Sequence, residues 1–302
     1  MKLCLALLFL TASLSAAEND LGGSGNAAAW LNLQASPLEA SYGEALGSMD
    51  NSPVAGRIDP SALAKLQGLD VGLAHHQYDD GLTVESVAAG LALGGDGGLG
   101  LSARYVNLGS VDTVSVLPDG SLSQGSTINP YGLAVEGQYG LRLYKGLRAG
   151  LGISWVDEEL VVANSSALQF SGGLGAALPW NLDASLSVTG LGSGLYGSSA
   201  SSTVHASLAW LGTKGLPLKL GAGLASPSGD SLRYSAAMDY TVLDALALRA
   251  GWQQQPYGTS GPVLGLGYHF ASISVDYAFQ MGTALGSTHL IGLNYAWTPK
   301  AL

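Results

Sequence analysis

The sequence predicts an all-β protein, a transmembrane antiparallel β-barrel of about 14 strands with an N-terminal, partly helical hatch that plugs it. From about residue 69 to residue 297, apolar residues alternate at period two with small or polar residues. Because the side chains of a strand point alternately to opposite faces, each strand has one apolar and one polar face. The polar faces carry glycine and charge, and the connections alternate between short and long. A closed barrel with lipid outside and water inside explains all three observations.

The composition favours a membrane protein over a soluble one. Charged residues make up 11% of the 302 residues, whereas soluble domains carry roughly 25%. A helical membrane protein needs about 20 consecutive apolar residues for each span, and no such run follows residue 17. The formal net charge of -10 excludes nucleic acid as a partner, because phosphate binding requires clustered lysine and arginine.

Residues 1–17 have the pattern of a secretory signal peptide. A basic start is followed by the apolar stretch Leu3–Leu14 and by the small residues Ser15–Ala17, after which we expect cleavage. The only cysteine, Cys4, lies inside this segment. The mature chain would therefore have neither disulfides nor thiol chemistry. Residues 18–29 are rich in glycine, alanine and asparagine and are expected to be flexible.

Residues 30–66 precede the alternating pattern and are predicted to form the hatch. Ser36–Glu39 is a strong helix start, with serine as N-cap, proline at the first helical position and glutamate three residues after the cap. We expect this helix to end near residues 46–49. Asp59–Ser61 is a second capping sequence that opens a short helical turn.

The barrel domain is predicted over residues 67–298. The approximate strand cores are 69–77, 82–93, 98–107, 130–143, 146–156, 167–178, 181–191, 202–212, 215–224, 231–242, 245–254, 262–270, 272–281 and 286–297. Only the second strand departs from a clean alternation, since Glu85 shares the face of Val87 and Leu91. We expect a bulge or a register shift there.

The predicted connections fall into two classes that alternate along the chain. The short ones lie near Asp96, Lys145, Trp180, Lys214, Asp244 and Ala271. The longer ones cover 108–129, 157–166, 191–201, 225–230, 255–261 and 281–286. Outer-membrane barrels have short periplasmic turns and longer extracellular loops. The pattern therefore predicts a bacterial outer-membrane protein.

Ten charged residues share the parity of the polar, lumen-facing side. They are Arg104, Glu136, Arg142, Arg148, Asp183, Lys219, Arg233, Asp239, Arg249 and Asp276. We interpret them first as structural, because opposite charges on neighbouring strands pair across the wall and fix register. The alternative is that they line a solute path and set its selectivity.

Other motifs do not indicate catalysis or cofactor binding. The two glycine stretches with dinucleotide-type spacing begin at Gly95 and Gly192, and neither lies between a strand and a helix. The histidines are scattered, and no G-x-S-x-G sequence occurs. We therefore predict no enzyme, no metal and no cofactor. The acidic runs Asp79–Asp80 and Asp157–Glu159 are interpreted as solvated loop tips rather than a cation site.

The order of a helical segment, a D-P-S-A-L-A sequence and alternating strands resembles the PorV/PorQ family of outer-membrane proteins, which is related to FadL-type barrels. The specific matches are Ala40–Ala45, Asp59–Ala64, Val275–Phe279 and Leu285–His289. The resemblance identifies a hatch motif at Asp59, Pro60, Ser61, Ala62 and Leu63.

This resemblance implies a 14-stranded barrel with residues 30–66 inside it. A barrel of this size needs such a plug, because only about 8 strands give an interior that wall side chains fill. The implied partners are outer-membrane lipid, the barrel-assembly machinery, and either secreted client proteins of type IX secretion or hydrophobic solutes. The implied function is transport or secretion through a docking barrel or a gated channel. A passive transporter of hydrophobic small molecules and a structural envelope barrel remain as alternatives.

Overall fold

A computed structural model describes residues 28–298, apart from 79–80, 96, 162, 199, 201, 214, 244, 255–259 and 282–286. The predicted signal peptide, and all of the predicted flexible segment before Ala28, lie outside the described residues. None of the described helices is both long enough and apolar enough to cross a membrane.

The described chain consists mainly of β-strands. In chain order these are β1 Leu69–Gln77, β2 Thr83–Ala92, β3 Gly97–Asn107, β4 Val111–Val116, β5 Leu122–Ile128, β6 Tyr131–Arg142, β7 Leu147–Glu159, β8 Asn164–Leu178, β9 Leu182–Gly192, β10 Thr203–Trp210, β11 Leu218–Pro227, β12 Arg233–Val242, β13 Leu246–Gln254, β14 Gly261–Phe270, β15 Ile273–Gln280 and β16 Thr288–Trp297.

Fourteen of these strands close into one antiparallel barrel, which confirms the predicted fold class. The closing contact joins β1 to β16, with Leu69 opposite Trp297 and Gln77 opposite His289. Strand β3 pairs directly with β6, because β4 and β5 form a separate two-stranded hairpin between them. We call the end where β1 begins and β16 ends the turn end, and the opposite end the loop end.

The outer face of the barrel is apolar, as the alternation requires. Leu151 and Leu186 are 72% and 55% exposed on this face. Trp155, Trp252 and Trp297 are also exposed on it. Aromatic girdles at the two membrane interfaces are typical of barrels in lipid. The inner face carries glycine, serine and charged residues.

The hatch consists of short helical pieces. Its two α-helices are α1, Pro37–Tyr42, and α2, Leu46–Met49. Its 3₁₀ turns are Ala29–Asn32, Gly43–Ala45, Pro53–Arg57 and Pro60–Lys65. The Ser36 hydroxyl accepts a hydrogen bond from the Glu39 amide at 3.1 Å, as predicted for the N-cap. The expected continuous helix is interrupted at Gly43, whose φ is +53°.

The apolar core lies between the hatch and the inner wall. Side chains of α1 and α2, including Tyr42, Leu46 and Met49, pack with Ala209 and Ala237 of the wall. A second cluster surrounds Trp30 near the loop end; its other members include Tyr78, Val106 and Val156. The hatch therefore runs through the lumen from the loop end to the turn end, where β1 begins.

One predicted feature of the wall is wrong. The expected bulge in the second strand is absent, and β2 keeps an unbroken register with β1 and β3. Glu85 instead lies on the outer face, where its carboxylate is 2.6 Å from His75 Nδ1 on the neighbouring strand. The cross-strand partner explains how an acidic residue is tolerated at an outward position.

Three connection and loop assignments also need correction. The predicted loop 108–129 contains the β4–β5 hairpin. The predicted loop 157–166 is mostly strand, because β7 and β8 extend to Glu159 and Asn164. Asp157 and Glu158 are consequently buried rather than solvated, and Glu158 accepts a hydrogen bond from the indole of Trp30 at 2.8 Å. The other acidic run, 79–80, lies outside the described residues.

Candidate functional site: the lumen between hatch and wall

Glycines on the inner face of the wall make room for the hatch. A Cβ atom added at Gly140 would lie 2.6 Å from the amide nitrogen of Ala64. One added at Gly90 or at Gly100 would lie 2.8 Å from Leu66 or Leu63. Cβ atoms do not come this close to non-bonded atoms, so the hatch backbone at Ala64 can approach the wall only because Gly140 has no side chain. At Gly90 and Gly100 the space is taken by the side chains of Leu66 and Leu63.

The hatch motif lies at the turn end of the lumen. Asp59, Ser61, Ala62 and Leu63 have no exposed surface, and Asp59 Oδ1 accepts a hydrogen bond from the Ser61 amide at 2.9 Å. Burial raises the pKa of Asp59, although the two hydrogen bonds from Ser61 act in the opposite direction. The 3₁₀ turn that the motif opens packs on the inner faces of β3, β6, β7 and β8. The motif thus occupies the part of the turn end that lies against these four strands.

A buried ion pair adjoins the hatch motif. Arg148 and Asp183 form two parallel hydrogen bonds of 2.8 Å each, across a position on β8 occupied by Gly175. Lys65 Nζ donates to the Gly47 carbonyl at 3.0 Å and lies 4.0 Å from Asp183. Burial lowers the pKa of Lys65 to about 8, against the opposing charge of Asp183.

A second charged group fastens α1 to the opposite wall. Arg249 Nε lies 2.9 Å from Asp239, its direct neighbour on β12, and Nη1 lies 2.5 Å from Asp276. The contact between Arg249 and Asp276 passes over Gly267 of the intervening strand β14. A Cβ added at Gly267 would lie 2.6 Å from the Asp276 carboxylate. The Tyr42 hydroxyl of the hatch donates to Asp239. Burial raises the pKa of Tyr42 well above its usual value, and the hydroxyl stays protonated.

A polar cavity of about 100 Å³ lies between the hatch and the wall in the half of the lumen nearer the loop end. On the hatch side it is lined by Gln34, Glu39, Glu44 and Arg57, among others. On the wall side its lining includes Arg104, Glu136, Ser154, Ser171, Thr189, His205, Arg233 and Gln253. Oppositely charged groups therefore face each other across a space that the hatch leaves unfilled.

Glu44 and His205 join the hatch to the wall beside this cavity. His205 Nδ1 lies 2.8 Å from Glu44 Oε2, and His205 Nε2 lies 3.1 Å from the Thr189 hydroxyl. Burial opposes the charge on Glu44, but the hydrogen bond and charge of His205, together with the charge of Arg233, lower its pKa overall. Glu44 is therefore an ionised carboxylate at neutral pH.

The ten charges predicted for the lumen differ in burial and in partners. The buried ones are Arg104, Arg148, Asp183, Arg233, Asp239, Arg249 and Asp276. Glu136 and Lys219 are half-buried, and Arg142 is exposed while its Nε donates to the Ala64 carbonyl at 2.6 Å. Arg249 with Asp239 is a pair on neighbouring strands, whereas Arg148–Asp183 and Arg249–Asp276 each cross an intervening strand.

Sequence reasoning did not identify the hatch residues that complete these groups. Glu39, Tyr42, Glu44 and Arg57 lie in or beside short helical pieces, where no strand alternation marks a lumen-facing side. Among the scattered histidines, His205 is the one in the lining of this cavity. Its inward parity beside Ser207 on β10 was the available signal. Among the described residues, no group of three or more His, Cys, Asp or Glu side chains is placed to hold a metal ion.

Comparison with known proteins identifies the fold. No protein-family model matches the sequence, and no curated protein matches it either. Among solved structures, a CymD monoaromatic hydrocarbon channel is similar over 89% of this chain and 99% of its own, with 12% identity and a TM-score of 0.62.

Two further solved structures are similar. A Pseudomonas aeruginosa FadL homologue has 14% identity and a TM-score of 0.54 over 87% of this chain and 98% of its own. The Pseudomonas putida toluene transporter TodX has 13% identity and a TM-score of 0.52 over 84% of this chain and 96% of its own. The chain therefore has the fold of FadL-type outer-membrane barrels. Membership of the PorV/PorQ family stays a prediction.

Proposed function

We propose that this protein is a transport barrel of the bacterial outer membrane, in which residues 30–66 form a hatch that gates the passage of small solutes. The observation that carries the proposal is the fit of the hatch inside a closed barrel with an apolar outer face. A wall of this kind requires lipid around it, and a 14-stranded wall encloses more space than its own side chains fill.

The likeness to channels supports the same function. Two of the similar structures are a monoaromatic hydrocarbon channel and a toluene transporter. We extend from them only the general role of moving a small solute across the outer membrane. The polar cavity beside the hatch supports a solute path next to the plug.

Deletion of residues 30–66 tests the gating hatch. In planar bilayers we expect the deletion variant to conduct ions continuously, because the lumen loses the segment that fills it, whereas the intact protein conducts little. A matched control replaces the β4–β5 hairpin, 111–128, by a short glycine-serine linker, which leaves the lumen unchanged. Heat-modifiable migration in electrophoresis checks that each variant is a folded barrel. A folded deletion variant with no conductance would contradict the proposal.

Docking of a secreted client protein is a second candidate function, and the β4–β5 hairpin favours it. The two strands pair only with each other in the described part of the chain, so both outer edges are unpaired. Val114, Val116 and Leu122 are exposed on the hairpin. An extended peptide can add to such an edge. If a secreted protein can be cross-linked to the intact chain but not to the variant with the replaced hairpin, docking is favoured over transport.

A further inference from the structure

The lumen cavity has a lining that suits a hydrophilic solute. Its volume is about 100 Å³, whereas one buried water needs only about 10–15 Å³ on the same measure. It therefore has room for several waters or for a solute with a few heavy atoms. Most of the lining side chains carry charge, hydroxyl or amide groups. A hydrocarbon would leave these groups without hydrogen-bond partners, which costs free energy.

Arg233 is a buried cation in the cavity lining with only a distant ion-pair partner. Its side chain is buried, with 6% of the residue exposed. Its nearest acidic oxygen, on Asp230, lies 3.8 Å away, which is too long for a hydrogen bond. Within the described residues its guanidinium makes no hydrogen bond, although it offers five N–H donors.

Arg104 presents a second unmet donor. Its Nη1 donates to the carbonyls of Leu31 and Leu33 at 2.9 and 3.1 Å. Its Nε is buried and finds no acceptor among the described residues, and the same holds for Arg57 Nε on the hatch. Arg104 is 4% exposed, so these donors have little access to bulk water.

The carboxylates around the cavity already have donors. Glu39 pairs with Arg57 and accepts from the Ala35 amide, and Glu44 is paired with His205. Glu136 accepts from the Gln138 amide at 2.9 Å. Each of these carboxylates thus accepts at least one hydrogen bond, whereas the Arg233 guanidinium and the Nε atoms of Arg104 and Arg57 donate none within the described residues. A partner suited to these donors is an acceptor that carries negative charge.

We propose that the cavity binds the carboxylate of a small hydrophilic organic acid, with Arg233 as its main ion-pair partner and Arg104 as a second donor. The inference deepens the proposed transport function and rests on it, because it names the class of solute that the channel admits. The small volume excludes a long alkyl chain.

Equilibrium binding of radiolabelled succinate to the detergent-purified full chain tests the site without requiring transport. We expect the wild type to bind succinate and R233Q to bind it at least about tenfold more weakly, since a charge-assisted hydrogen bond is lost. R233K keeps the charge and should retain part of the affinity. K219Q removes a lumen cation outside the cavity lining and should bind as the wild type does.

Proteoliposome uptake separates this inference from the proposed function. Suppose that the wild type takes up succinate in preference to the neutral sugar arabinose, and that this uptake is reduced in R233Q but not in K219Q. This result supports both the anion site and the transport function. If neither solute enters while succinate still binds in detergent, the channel function fails and the anion site stands. If both solutes enter equally and succinate does not bind, the anion site is overturned and the channel remains. The anion site is also overturned if R233Q binds succinate as tightly as the wild type does. Heat-modifiable migration verifies that each variant is folded.

Discussion

The contact between Glu44 and His205 links a titratable hatch residue to the barrel wall. Both side chains are buried in the lumen, and 2.8 Å separates the carboxylate from the ring nitrogen. The carboxylate also feels the charge of Arg233, which acts with His205 to keep it ionised. Protonation of Glu44 would remove the charge that holds this part of the hatch against β10.

Acidification is therefore expected to loosen the hatch. Because the pKa of Glu44 in the folded protein lies below its ordinary value of 4.5, its contribution to stability is fully present above that value. The contribution is lost as pH falls through the lowered pKa. Bilayer conductance of the wild type should rise between pH 5 and pH 3. E44Q should conduct more at pH 7 and change less on acidification, and an identical acid response in E44Q would contradict this assignment.

Strand β6 shows how the two faces of one element serve different surroundings. Gly140 lies against the hatch, and a Cβ added there would be 2.6 Å from the amide nitrogen of Ala64. Gly137 lies on the outer face, where the nearest atom to an added Cβ is a methyl carbon of Ile153 at 4.0 Å. The same residue type is required by close packing at the first position and is replaceable at the second.

A matched pair of substitutions tests this difference. G140V should lower the temperature at which heat-modifiable migration is lost, because overpacking costs about 1–3 kcal/mol and the hatch backbone must move. G137V should leave that temperature unchanged or raise it, since valine suits a strand and faces lipid. Equal effects of the two substitutions would mean that the hatch does not pack against β6 as described.

The strands and the helix caps were predictable from local sequence, and the hairpin was not. Alternation on β15, from Ile273 to Phe279, and the cap at Ser36 each depend on residues a few positions apart. The hairpin β4–β5 has serine and threonine on both strands and glycine on β5, and its strands of six and seven residues are shorter than those of the wall, so its alternation is weak. Val116 and Leu122 pair on either side of the turn that joins the two strands.

The barrel and the hatch together determine whether anything passes. Towards the turn end, the 3₁₀ turn Pro60–Lys65 packs on β3, β6, β7 and β8, and α2 packs on β9, β10 and β11. The polar cavity occupies the half nearer the loop end. The cavity therefore does not extend through the lumen, and passage requires the hatch to shift. A hatch fixed to the wall should block transport even when the cavity is intact.

A disulfide between hatch and wall tests that requirement. Cβ atoms at residues 45 and 221 would be 3.1 Å apart, slightly closer than the about 3.5–4.5 Å of disulfides. A Cβ at residue 221 also meets the Met49 side chain, so M49A is included in every variant. The mature chain is expected to contain no other cysteine. Oxidised A45C/G221C should lose solute uptake in proteoliposomes, and reduction should restore it. Each single variant is a control, and uptake that persists in the oxidised double variant would mean that solutes pass a stationary hatch.

The sequence by itself determined the closed barrel, its outer and inner faces, the hatch segment and the two capping residues, Ser36 and Asp59. These features depend on neighbours along the chain, whose side-chain directions follow from a fixed backbone period. The tertiary structure alone decided which glycines receive the hatch, which charges pair across an intervening strand, and where the Arg233 guanidinium and Arg104 Nε find no acceptor among the described residues. Those contacts join residues far apart in sequence, and their distances depend on how barrel closure and the path of the hatch divide the lumen.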